Sequence, residues 1–235
     1  MKRNYLFYWF AVLLLLFSPA RSYAEVYSGT CGENVNWTLD TETGLLEISG
    51  NGEMEDFTIN PTWSNYRTKI KECIIKDGVI NISNNAFKRC TNLISISIGN
   101  TVKRIGQNAF INCNAITEIH IPKNVITIED NAFIGCRSLI SITFEDGSES
   151  LALGYNTTES SGLFSYCPLE NLYLGRKIIS KIGAFSNNTT LTIVHLGNQI
   201  TSIGNSAFYG CTGLTSITIP ESVTSIGSYA FGHCI

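Results

Sequence analysis

Three things are missing from this sequence: a second long apolar run, clustered basic residues, and any familiar catalytic motif. After the apolar stretch at residues 5–17 nothing comparable follows, so the rest offers no membrane span, which needs about 20 apolar residues. Lysine and arginine total 16 against 19 acidic residues and nowhere gather. A mildly acidic chain of that kind suits neither phosphate backbones nor anionic lipid, and nucleic-acid binding is set aside. No Gly-x-Ser-x-Gly, His-Glu-x-x-His or phosphate-cradling loop occurs. Glycoside cleavage needs a close carboxylate pair or an acid with a basic partner, and Glu118 beside His120 has no third group to complete such a set. The expectation is no enzyme, no catalytic residue, no cofactor and no metal site.

The N-terminus reads as an export signal. Lys2 and Arg3 precede the apolar run, and Ser22-Tyr23-Ala24 supplies small residues for cleavage after Ala24. Removing residues 1–24 leaves 13 basic and 19 acidic residues, a formal charge of −6. No cysteine follows the expected cut, so no lipid anchor is expected there. The product would be secreted or held at the cell surface.

What is present is a repeat. ITSIGNSAFYGCTGLTSITIP, from Ile200, begins again as VTSIGSYAFGHC, 23 residues on. Phe87, Phe110 and Phe133 keep that spacing, and so do Phe185, Phe208 and Phe231. From Phe133 to Phe164 the step is 31 residues and from Phe164 to Phe185 it is 21. A fixed period of this size means a solenoid, whose units bury their apolar faces only by stacking. Leu214, Ile217 and Ile219 would point inward from one short strand. Val223 and Ile226 suggest a second after the Pro220-Glu221-Ser222 turn, and Ala230, Phe231 and Cys234 have the spacing of a helical turn. The fold class is therefore a mainly β solenoid of short parallel strands, with one helical turn per coil. Residues 25–68 do not repeat. Val35-Asn36-Trp37-Thr38-Leu39 and Leu46-Glu47-Ile48 flank a turn at 40–44, which predicts a β-hairpin cap. Pro61, Trp63 and Tyr66 would then cover the first coil. The division is an export signal at 1–24, a cap at 25–68 and repeats at 69–235, about seven units with the last incomplete.

Eight cysteines in an exported chain ordinarily suggest disulfides. Yet Cys90, Cys113, Cys136, Cys167, Cys211 and Cys234 each stand three residues after a repeat phenylalanine. One register implies one role, a small side chain in the same buried slot, and parallel Cβ vectors do not favour bridging. Buried free thiols are preferred over a disulfide ladder. Cys73 takes an inward strand position, and Cys31 lies in the cap without an explanation from register.

These repeats resemble the BspA-type leucine-rich repeat family of bacterial surface and secreted proteins. The opening Ser28-Gly29-Thr30-Cys31-Gly32-Glu33-Asn34-Val35-Asn36-Trp37 is similar to that family's usual start, and Leu172-Tyr173-Leu174-Gly175-Arg176 to a recurrent variant unit. The resemblance covers the mature chain and implies a leucine-rich-repeat superhelix. It further implies extracellular recognition: adhesion to host matrix proteins, host cells or other bacteria, with no shared catalytic motif. Asn188 stands in the cysteine slot of its unit, as either residue does in such repeats.

The outward positions of the Leu-x-x-Ile-x-Ile strand form two columns on the expected concave sheet. One reads Ser97, His120, Thr143, Tyr173, His195, Thr218, and the other Ser95, Glu118, Ser141, Asn171, Ile193, Ser216. Against small hydroxyls, Glu118, His120, Tyr173, Ile193 and His195 stand out as candidate ligand-binding residues; the alternative is ordinary exposed strand chemistry. His120 and His195, three coils and about 14 Å apart, are too distant to share a metal. The polar insert at 145–161 is either a second binding element or a tolerated surface loop. Expected partners are extracellular proteins or glycoproteins, with glycans as the alternative, then a carbohydrate-active solenoid enzyme or a structural envelope component. The sequence stops at Cys234-Ile235 within a coil, which predicts either a truncated product or an open end that pairs with a second copy.

Overall fold

The computed structural model describes residues 25–154, 163–180 and 183–234. The expected export signal at 1–24 and the insert residues 155–161 lie outside them. Strands β1 (Val26–Gly32), β2 (Val35–Asp40) and β3 (Leu45–Gly50) form an antiparallel meander. The β2–β3 hairpin follows its alternation, since Val35, Trp37, Leu39, Leu46 and Ile48 are all buried. The Asp40 carboxylate accepts the N–H groups of Glu42 and Thr43, and Gly44 turns the chain at φ 81°. The meander has one strand more than the expected hairpin. β1 runs through Ser28, Gly29 and Thr30 and offers no alternation of large apolar residues. Trp63 is fully buried and its indole N–H donates to the Ala86 carbonyl at 3.0 Å, so the cap is bonded to the first coil.

Parallel pairing of β3 with β4 (Glu72–Ile75) carries the cap into the array. Each coil but the last then contributes a four-residue rung and a shorter one, and the last contributes only a short one. After β4 the long rungs are β6 (Ser95–Ile98), β8 (Glu118–Ile121), β10 (Ser141–Phe144), β12 (Asn171–Leu174) and β14 (Ile193–Leu196). The short rungs are β5 (Asn81–Ile82), β7 (Arg104–Ile105), β9 (Thr127–Ile128), β11 (Leu151–Leu153), β13 (Ile178–Ile179), β15 (Ser202–Ile203) and β16 (Ser225–Ile226). β11 falls inside the polar insert, where Leu151 and Leu153 are buried and the strand pairs with β9 and β13. The 145–161 segment is thus partly a rung.

The third side of the coil is not a helical turn. At five of the coils the residues two before and two after the phenylalanine are both left-handed, as at Asn85 (φ 59°) and Arg89 (φ 61°), Asn108 and Asn112, or Tyr229 and His233. A left-handed residue every fourth position breaks any α-helix, and the local bonds are three-residue turns such as Cys113 N–H to the Phe110 carbonyl. In exchange, alternate N–H groups reach the next coil: Asn108, Phe110 and Asn112 donate to the carbonyls of Asp130, Ala132 and Ile134. Inside this third ladder the phenylalanines form one continuous stack. Ring centroids are 5.1 Å apart for Phe87–Phe110, 5.6 Å for Phe133–Phe164 and 5.4 Å for Phe164–Phe185. The uneven 31- and 21-residue steps therefore leave the core in register.

The long-rung sheet is interrupted between β6 and β8, and again after β14. The two interruptions share one sequence feature. At four of the continuous junctions the residue after the rung donates its N–H to the matching residue of the preceding strand: Lys76 to Ile48, Glu145 to Ile121, Gly175 to Phe144, Gly197 to Leu174. In the two coils that fail to pair backwards, that residue is Pro122 or Pro220. Proline has no N–H to donate.

Candidate functional site

The outward face of the long rungs is built by simple alternation. In β8 Ile119 and Ile121 are buried while Glu118 and His120 are exposed; in β12 Leu172 and Leu174 are buried while Asn171 and Tyr173 are half-exposed. Parallel registers then set Glu118, Ser141, Asn171 and Ile193 in one row, and His120, Thr143, Tyr173 and His195 in the next. Four of the five candidate positions lie on two strands: Glu118 with His120, and Ile193 with His195. Tyr173 sits beside His195, two rungs from His120. Three rung spacings separate the two imidazoles, about 14 Å, which no single metal spans. Among the described residues no group of three or more histidine, cysteine or acidic side chains is arranged to hold a metal. No hydrogen bond joins Glu118 to His120 among the described contacts.

Tyr173 is held by a residue outside the rungs. Its hydroxyl donates to Asp146 Oδ1 at 2.9 Å, and Asp146 comes from the segment that follows β10. The adjacent carboxylate, with a smaller contribution from burial, raises the Tyr173 phenol above its ordinary value. The ring is therefore fixed over the middle of the face at low entropic cost. Only the local acidity of the insert hinted at Asp146, because a contact across 27 residues leaves no periodic trace.

Arg176 anchors the same region from within. It is fully buried, and its guanidinium donates to the carbonyls of Pro122, at 3.0 Å, and Lys123, two coils back. Desolvation lowers its pKa, and nearby Glu145 opposes that effect. The arginine thus ties the turn after β8 to the turn after β12 beneath the lengthened segment. At the other end of the array Arg104 bridges Glu129 Oε1 at 2.6 Å and Asp56 Oδ2 at 3.1 Å, linking cap to coils.

The cysteine column also has a specific geometry. All eight cysteines are free thiols. Cys113, Cys136, Cys167, Cys211 and Cys234 each donate Sγ–H to the carbonyl of the phenylalanine 26 or 34 residues earlier, at 3.0–3.1 Å. Asn188 in the same slot donates to the Cys167 carbonyl at 3.1 Å. The thiols are hydrogen-bonding rungs as well as packing groups. Burial pushes Cys31 and Cys90 up to about 12 and Cys211 to about 11.

Residues 59–177 and 157–235 match the family described as BspA type leucine rich repeat region, in six copies. The chain belongs to that family. Among solved structures, a leucine-rich repeat protein from Bacteroides ovatus ATCC 8483 is 25% identical, with a TM-score of 0.52 over 87% of this chain and 50% of the other. This BspA-type chain therefore spans half the length of that relative. A leucine-rich repeat protein from Eubacterium ventriosum ATCC 27560 is 18% identical, covering 90% and 96% of the two chains at a TM-score of 0.40. A leucine rich cell surface protein from Faecalibacterium prausnitzii A2-165 is 20% identical, covering 92% and 88% at 0.30. No curated protein matches the sequence. The family and these neighbours are described as leucine-rich repeat proteins. Among the described residues no helix is long and apolar enough to cross a membrane.

Proposed function

We propose that this BspA-type protein is a secreted or surface-held recognition protein that binds an extracellular protein or glycoprotein through the outward face of its long rungs. In this reading residues 1–24 are an export signal, 25–68 a cap and 69–235 the binding array. The observation that carries it is Tyr173, pinned by Asp146 and flanked by His195 in a field of small hydroxyl and amide side chains. A flat sheet carrying a few large, pre-positioned groups suits a macromolecular partner, since anchors that are already ordered lose little freedom on binding. Family membership supports protein–protein interaction in general; adhesion is the specific form proposed.

The test is capture of matrix glycoproteins and host-cell surface extract by residues 25–235, beside a variant carrying Glu118, His120, Tyr173 and His195 changed to Ala. Saturable binding lost in the variant is the expected result. Binding kept by the variant would move the site off this face. Tyr173 beside Thr143 and Asn171 also fits a sugar ring, so binding to protein-free glycans, lost on Tyr173→Ala, would select the glycan reading.

A further inference from the structure

The interruption after β14 leaves something more definite than an exposed face. Around it lies a groove of about 780 Å³, with Ile193, His195 and Asn198 on one wall and Ser216, Thr218 and Glu221 on the other. Other parts of the same coil are joined normally. β15 pairs with β16, Thr224 N–H reaches the Thr201 carbonyl, and Phe208 N–H reaches the Ala230 carbonyl. Among the described residues only the long-rung side stands open: the Thr192 carbonyl receives no N–H from residues 215 and 216, and Pro220 at the far end has none to give.

The groove exposes main chain. Ile193 and Gly197 direct their N–H groups back to the Glu170 and Leu174 carbonyls of the β12 coil. Strand alternation then aims the N–H and C=O groups of Val194 and Leu196 the other way, into the groove. β14 is the terminal strand of its sheet, and among the described residues no backbone bond joins it to residues 214–219. Donors and acceptors repeating along a strand edge match one kind of occupant, another extended polypeptide backbone. Neither a sugar nor a helix presents that repeat. Glu221 is the one formally charged group lining the groove, where no lysine or arginine offsets it.

We infer that β14 is a strand-addition site, taking an extended, basic peptide segment of the partner into the gap that ends at Pro220. The inference rests on the recognition reading above and names the form of the partner. Main-chain pairing with Val194 and Leu196 supplies the attachment, while Glu221 selects lysine or arginine on the incoming strand.

The test uses residues 25–235, NMR amide exchange, and a short synthetic peptide alternating valine with lysine and threonine. In the free protein the amides of Val194 and Leu196 should exchange faster than those of Leu172 and Leu174 in β12, which is paired on both sides. Adding the peptide should slow them. A copy N-methylated on alternate residues, or one with glutamate for lysine, should fail to do so. Pro220→Gly places the residue found at positions 175 and 197, restores the N–H, and should slow the same amides without peptide. It should also weaken peptide binding about tenfold, as for one or two lost hydrogen bonds. Pro122→Gly, in the distant interruption, should leave peptide binding unchanged and serves as the folding control. The inference is overturned if Val194 and Leu196 are as protected in the free protein as Leu172 and Leu174. Equal peptide binding by Pro220→Gly would overturn it too. Exchange that slows with protein concentration alone would replace the foreign strand with a second copy. If the peptide fails while glycoprotein capture persists, the groove falls and the recognition face stands; the reverse outcome removes the face and keeps the groove.

Discussion

A single hydroxyl tests the centre of the face. Changing Asp146 to Asn removes the carboxylate that raises Tyr173, so the phenol should titrate closer to its ordinary value, read by ultraviolet absorbance against pH. Because the folded value is the higher one, this bond stabilises the fold below the unfolded tyrosine pKa. It ceases to do so as pH rises through the folded value. The buried thiols obey the same sign. Cys31 and Cys90 bind their protons more tightly folded than unfolded, so stability should fall as pH climbs from the ordinary thiol range toward about 12. Native protein at pH 8 should leave the buried thiols unalkylated by iodoacetamide, with the partly exposed Cys234 the first to react. The slot of each cysteine was legible from its register, since a buried column must recur with the coil. Its bond to a phenylalanine carbonyl was not, because packing and hydrogen bonding demand the same spacing. Likewise Glu118, His120, Tyr173, Ile193 and His195 could be placed in rows from alternation alone, whereas Asp146 and Arg176 act across 27 and 53 residues and break no pattern.

At the scale of one coil, the left-handed positions decide the geometry of the third side. Asn131 (φ 60°) should accept Gly with little effect, whereas Asn131→Val should cost about 1–2 kcal/mol in urea denaturation, the penalty for a β-branched residue in that region. The apolar spacing of Ala230, Phe231 and Cys234 suggested a helical turn because spacing records which side chains face inward and not the sign of φ. The asparagines and glycines at 108, 112, 131, 135, 187 and 210 were the available signal. Pro220 was read from the sequence only as a turn residue; that it and Pro122 share one register, where the long-rung sheet parts, was a signal left unused. The strands themselves were legible because their inward isoleucines alternate with hydroxyls; β1, built on serine and glycine, had no such contrast.

Across the whole molecule, the phenylalanine stack makes neighbouring coils share one core. Phe110→Ala should cost about 3–5 kcal/mol and lower the denaturant midpoint, since it empties a fully buried site between two parallel rings. Arg104→Ala should cost about 1 kcal/mol, because its partners are partly solvated, and the loss should shrink in high salt. Its effect should concentrate in the amides of residues 53–57, which lose their tie to the coils.

The ladders that join the coils run along the length of the array, so tension applied between its two ends would load them one after another. Under such a load the array would not shear as a block but peel, paying out slack one coil at a time. Each released coil of 23 residues yields about 80 Å of extended chain. The junctions at Pro122 and Pro220, short of a rung bond, would part at the lowest load, and the Arg176-braced middle would hold longest. Force spectroscopy on a chain tethered at both termini would record that order as discrete extensions.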